Sequence, residues 1–165
     1  MAITIARGVP VATAGDPPEV GSPLPPFTLT LPDLAEVSSA EFAGRTLVLN
    51  IFPSVDTRVC ALTVRRFNEL AAGLTDTTVL CVSHDLPFAL GRFCGAEGIE
   101  NVVVASAFRS SFGQDYGLTL TDGAMRGLLA RTVIVAGADG SIRHVQITEN
   151  TSDEPDYDAA VAALS

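Results

Sequence analysis

The chain has 165 residues, 47% of them hydrophobic and 18% charged, which suits one soluble globular domain with a full core. Its formal charge is −9 and all ten cations are arginine, so the surface repels phosphate backbones and anionic lipid and argues against nucleic-acid and membrane-surface binding. The opening MAITIARGVPVATAG has no basic segment followed by a long apolar one, no stretch approaches the ~20 apolar residues of a spanning helix, and three cysteines are a poor count for a secreted disulfide scaffold. A cytoplasmic protein with mostly reduced thiols is expected.

Ile3 to Ile5 and Val9 to Ala12 flank Arg7-Gly8 and predict an N-terminal hairpin. The loop GDPPEVGSPLPP then delivers the chain to FTLTL, and what precedes it is too short for a core of its own, so 1–165 reads as a single domain. From Thr46 the pattern alternates. TLVLNIF is a continuous apolar run, as in a strand covered on both faces, and Val64, Phe67 and Ala71 follow at helical spacing behind Cys60. TTVLCVS predicts a second buried strand, and Pro87 to Phe93 a helix ending at Gly95. NVVVAS is a third strand, followed by a short helical piece from Ser110 to Tyr116. RTVIVAGADGSIRHVQIT reads as two strands around the turn Ala138-Asp139-Gly140, and Asp156 to Leu164 as a closing amphipathic helix. The fold class is α/β with a mixed central sheet flanked by helices.

In such sheets ligand sites lie beyond the carboxyl ends of strands, and Phe52-Pro53 is such an end. Thr57 is a suitable helix N-cap, which puts Arg58, Val59 and Cys60 at the first three helical positions. Backbone N–H groups there lack helical partners and favour an anion, and a thiolate is an anion. Cys60 also lies in line with Val64, Phe67 and Ala71, so the residues alone favour a small hydrophobe in the core.

Pro53-x-x-x-Thr57-x-x-Cys60 resembles the peroxidatic motif of the peroxiredoxins. LNIFPSVDTRVCALTVRRFNEL, LCVSHDLPFALGRFCGAEGIENV, YGLTLTDGAMRGLLAR and EPDYDAAVAAL resemble, in order, blocks of the thiol peroxidase subfamily over nearly the whole chain. The resemblance implies a thioredoxin-like fold and an atypical two-cysteine peroxiredoxin with no metal or organic cofactor. By that resemblance Cys60 attacks hydrogen peroxide or an organic hydroperoxide and becomes a sulfenic acid. Thr57 bonds the thiolate and the peroxide, Pro53 shapes the substrate pocket, and Arg131 stabilises developing charge. Cys94 resolves the sulfenic acid as an intramolecular Cys60–Cys94 disulfide, which thioredoxin or a similar dithiol reductant reopens. The family is generally homodimeric. Two residues depart from its pattern: His84, where a small residue is usual, and Arg58, where glycine or proline is common. Asp56 reads as a turn or second N-cap residue whose carboxylate could pair with Arg58 or Arg131.

Cys81, inside TTVLCVS, reads as core. A disulfide oxidoreductase would carry C-x-x-C, which is absent. A zinc site from Cys60, Cys81, His84 and Cys94 would draw two ligands from a buried strand and its end, a poor pattern for zinc. A redox sensor would use the same two cysteines, Cys60 and Cys94. No G-x-S-x-G elbow and no glycine-rich phosphate loop is present.

Overall fold

The computed structural model describes residues 1–165. The predicted hairpin is β1 (Ile3–Ala6) paired antiparallel with β2 (Val9–Ala12). Arg7 and Gly8 form its turn with φ of 53° and 81°, as a two-residue turn must to follow the twist of its strands.

A seven-stranded sheet holds the rest together. β5 (Thr46–Ile51), β6 (Thr77–Ser83) and β7 (Val103–Ser106) run parallel. β8 (Thr132–Ala136) and β9 (Ile142–Ile147) extend it antiparallel beyond β5, and β3 (Thr28–Thr30) and β4 (Glu36–Ser38) beyond β7. The order is β4-β3-β7-β6-β5-β8-β9, so the sheet is mixed as the alternation of elements implied.

Side chains alternate across a strand, so an uninterrupted apolar run needs cover on both faces. That explains TLVLNIF. Leu47, Leu49 and Ile51 enter one layer, under Phe27, Phe112 and Tyr116. Val48 and Phe52 enter the other with Val79, Cys81 and Val133, where α1 (Arg58–Ala71), α2 (Pro87–Glu97) and α4 (Tyr157–Ala162) bury Val64, Phe67, Leu90 and Ala160. The short helix α3 (Phe112–Asp115) supplies Phe112 to the first layer.

Three details differ from the sequence reading. β4 and the 3-10 turn Ser39–Phe42 were not expected, because three-residue pairings leave almost no periodic signal. α2 runs past Gly95 to Glu97, because the residue that adopts the left-handed cap is Gly98, with φ 65°. Its N–H and that of Ile99 both donate to the Cys94 carbonyl. Asp56 pairs with neither Arg58 nor Arg131 but lies 3.6 Å from Arg92 on α2, because the turn after Pro53 aims its carboxylate across to that helix. No helix is long and apolar enough to cross a membrane.

The register of β5 with β8 joins distant parts of the chain at one edge of the sheet. Ile51 is opposite Thr132, so the carboxyl end of one strand meets the start of its antiparallel neighbour. Residues 52–60 and Arg131 are thereby brought together across 71 positions of sequence.

Candidate active site

Thr57 ends the loop from β5 in extended conformation, and its hydroxyl oxygen accepts from the Cys60 N–H at 3.4 Å. The same hydroxyl donates to the Ser54 carbonyl at 3.0 Å. Thr57 therefore caps α1 while its own proton is held by the loop. Cys60 is completely buried, in the first turn of α1.

The partner of its sulfur is Arg131. Its Nη2 donates to Cys60 Sγ at 2.9 Å, its Nε to the Thr151 carbonyl at 2.8 Å, and its Nη1 reaches Thr63 Oγ1 at 3.5 Å. Thr63 in turn donates to the Cys60 carbonyl at 2.9 Å. Arg131 is 2% exposed and belongs to none of the five ion pairs of the chain. A buried guanidinium without a carboxylate calls for another anion. The group within hydrogen-bond distance that can become one is the sulfur of Cys60.

A cleft of about 570 Å³ opens in front of this pair, with Pro53, Thr57 and Arg131 inside it and Val59, Met125 and Leu128 on its walls. Four of the five residues named from the sequence (Pro53, Thr57, Cys60 and Arg131) are thus brought to one place. The fifth, Cys94, is on the last turns of α2, half-buried and packed against the same apolar layer as Cys60 and Cys81. All three cysteines are free thiols. Burial pushes the Cys94 thiol up from its ordinary value. Cys81 is pushed up to about 12, by burial first, with the Asn50 amide bond at 3.5 Å opposing and nearby Cys94 adding to the rise. Cys81 and Cys94 are therefore protonated at neutral pH. No three His, Cys, Asp or Glu side chains converge, so the zinc grouping of Cys60, Cys81, His84 and Cys94 is not formed.

One contributor was missed from the sequence. Asp85 follows β6, and its carboxylate accepts from Ser54 Oγ at 2.6 Å, Ser83 Oγ at 2.6 Å and the Val55 N–H at 2.9 Å. It clamps the loop that presents Thr57 and Cys60 onto the end of the neighbouring strand. The available signal was a carboxylate at a strand end, in the DLPF stretch of a block that resembles the thiol peroxidases, where no role was read for Asp85 itself. His84, the departure beside it, places Nδ1 2.8 Å from the Gly127 carbonyl and so ties β6 to the segment bearing Met125 and Leu128. Exposed ion pairs Asp56–Arg92 and Glu97–Arg65, at 3.6 and 3.3 Å, link the loop just before α1 and the middle of α1 to α2.

Residues 19–161 match the Redoxin family. The whole chain is 59% identical to the whole length of the thiol peroxidase of Corynebacterium glutamicum. The chain belongs to the redoxin family, among the thiol peroxidases. The thiol peroxidase of Mycobacterium tuberculosis is 57% identical over 99% of each chain. Among solved structures, a peroxiredoxin-like protein from Aquifex aeolicus superposes with a TM-score of 0.93 at 36% identity, covering 98% of this chain and 95% of that one. The thiol peroxidase from Chromobacterium violaceum shares the fold at a TM-score of 0.91 with 22% identity, over 98% of this chain and 95% of its own.

Proposed function

We propose that Cys60 is the peroxide-reducing cysteine of this thiol peroxidase. The observation that carries the reading is the buried Arg131 guanidinium 2.9 Å from Cys60 Sγ with no carboxylate to pair with it. The thiolate it favours attacks the terminal oxygen of ROOH. An S–O bond forms, the O–O bond breaks, and RO⁻ leaves and takes a proton to become ROH. Arg131, donating into the same spot, stabilises the charge that develops on the leaving oxygen. Thr57, at the mouth of the cleft, orients the peroxide, and Pro53 walls the sulfur from bulk water.

Cys94 then condenses with the sulfenic acid, forming an S–S bond with loss of water. A disulfide requires Cα atoms within about 7 Å. Both thiols are free and Cys60 Sγ is held by Arg131, so forming the bond turns Cys60 away from Arg131 and loosens the first turn of α1 or the last turns of α2. The exposed ion pairs joining those helices hold them by only about 0.2–1 kcal/mol each, which favours such a movement. A thioredoxin-type dithiol restores both thiols by exchange, supplying two electrons per peroxide. The protein acts in the cytoplasm as one domain spanning 1–165. It works as a homodimer, for which exposed Leu86, Phe88 and Phe108 near the Asp85 end of the site offer an apolar face.

The test is peroxide consumption coupled to a thioredoxin system, with Cys60→Ser, Cys94→Ser and Cys81→Ser. Cys60→Ser should abolish turnover and Cys81→Ser should retain it. Cys94→Ser should consume one equivalent and stop with a sulfenic acid that a dimedone-type reagent traps. Disulfide formation in the wild type should quicken as pH rises through and beyond the ordinary thiol range, because burial holds Cys94 protonated. Full turnover by Cys60→Ser would refute the assignment.

A further inference from the structure

We propose that the cleft selects organic hydroperoxides that carry a carboxylate, and that Arg58 and Arg7 read that anion; the proposal rests on the peroxidase reading of the site. A cleft of about 570 Å³ is far larger than hydrogen peroxide needs and falls in the range of small-molecule sites. Its walls are apolar at Val59, Met125 and Leu128, which suits an alkyl chain.

The charge at its rim is what sets it apart. The chain has 19 carboxylates against ten arginines, yet the cleft is lined by Arg7, Arg58 and Arg131 and by no carboxylate. Arg7 and Arg58 are exposed, and neither is in an ion pair. Acids on the flanking segments stay out of the cleft lining, Glu149 and Glu154 among them, and three are engaged elsewhere. Asp56 faces Arg92, Asp122 accepts from the Ala12 N–H at 2.8 Å, and Asp153 accepts from Asn150 at 3.1 Å. A cationic, acid-free mouth on an anionic protein concentrates anions where the rest of the surface repels them.

Arg7 also occupies a costly position. In a turn of this type asparagine or glycine is the unstrained residue, and a non-glycine residue at positive φ costs on the order of 1 kcal/mol. The tip is nonetheless firmly placed. Ile5 exchanges backbone bonds with Glu149 and Thr151 at 2.8 and 2.9 Å, and Thr4 Oγ1 donates to the Thr148 carbonyl at 2.9 Å. The hairpin is thus docked on the segment whose Thr151 carbonyl holds Arg131 Nε, and it carries Arg7 to the rim. Arg58, at the first position of α1, approaches from the opposite chain segment. A carboxylate held between them leaves the alkyl chain along the apolar wall and the peroxide end toward Cys60.

The experiment compares single-turnover oxidation of Cys60 by a medium-chain hydroperoxy fatty acid with that by its methyl ester, both below micelle-forming concentrations. The proteins are wild type, Arg58→Gln, Arg7→Asn and the double variant. Wild type should prefer the acid at low salt, each substitution should lower the acid-to-ester ratio roughly two- to fivefold, and the double variant should bring it near unity. Added salt should compress the wild-type ratio toward the same value. Arg7→Asn removes the charge while relieving the backbone, so lost folding does not confound it. Equal rates for acid and ester in wild type, or a ratio unmoved in the double variant, overturn the proposal. A defect confined to recycling by the dithiol protein also overturns it, because the arginines would then read the reductant. Hydrogen peroxide is the reference: if wild type reduces it but shows no acid preference, only this inference falls. If no peroxide oxidises Cys60, the peroxidase reading falls with it.

Discussion

Replacing Arg131 with methionine removes the one buried cation at Cys60 and keeps most of the side-chain volume. At the observed 2.9 Å and an effective dielectric near 20, attraction between a guanidinium and a thiolate is about 6 kcal/mol. Part of that is offset by desolvation of both ions, and removal of a single donor at a developing oxyanion typically costs a factor of about 10² to 10³. Oxidation of Cys60 by hydrogen peroxide should therefore slow by about a thousandfold in Arg131→Met. The rate is read in a Cys94→Ser background by trapping the sulfenic acid at timed intervals. Stability should move the other way. Methionine leaves no buried charge, so Arg131→Met should unfold at equal or higher urea, whereas Cys60→Ala strands the guanidinium and should cost about 3 kcal/mol. The double variant should recover most of that loss. An Arg131→Met enzyme within tenfold of the wild-type rate would refute the electrostatic role of the guanidinium. A Cys60→Ala protein as stable as wild type would show that sulfur is not its counter-ion.

Asp85→Asn substitutes one donor for an acceptor among three inbound donors. It should lower stability by about 2 kcal/mol in urea unfolding and slow Cys60 oxidation at temperatures where the variant is fully folded, since the loop bearing Thr57 loses its clamp; an unchanged rate would make Asp85 purely structural. Alkaline stability reports on Cys81. With the folded thiol at about 12 and the unfolded one near 8.5, the unfolded chain loses its proton first. The contribution is intact below about pH 8.5 and falls by about 1.4 kcal/mol per pH unit above it. Between pH 8.5 and 10 the difference in unfolding free energy between wild type and Cys81→Ala should shift by about 2 kcal/mol toward the variant, and a constant difference would show that the thiol ionises freely in the fold.

Much of the fold could be read from local pattern. The two-faced burial of TLVLNIF and TTVLCVS, the Arg7-Gly8 hairpin and the Thr57 cap each follow from interactions within a few residues, or from the need to cover both faces of a strand. Where the reading missed, the signal was weak or shared. Three residues of β4 have no usable period, and Gly95 and Gly98 are indistinguishable as helix ends until one takes a left-handed φ. Asp85 was invisible as a clamp because the loop it holds, through Ser54 and Val55, lies some 30 positions away.

The sequence by itself determined the α/β alternation, the extended loop that delivers Cys60 to a helix start, and the family, because these depend on short-range patterns and contiguous motifs. Tertiary structure decided which reading of Cys60 its surroundings favour. An inward-facing cysteine on a helix is a packing residue or a thiolate according to what lies across from it, and that is set by β5 pairing antiparallel with β8. The same pairing buries Arg131 without a carboxylate. Docking of the N-terminal hairpin likewise decides that Arg7, an ordinary turn residue in one dimension, stands at the rim of the same cleft.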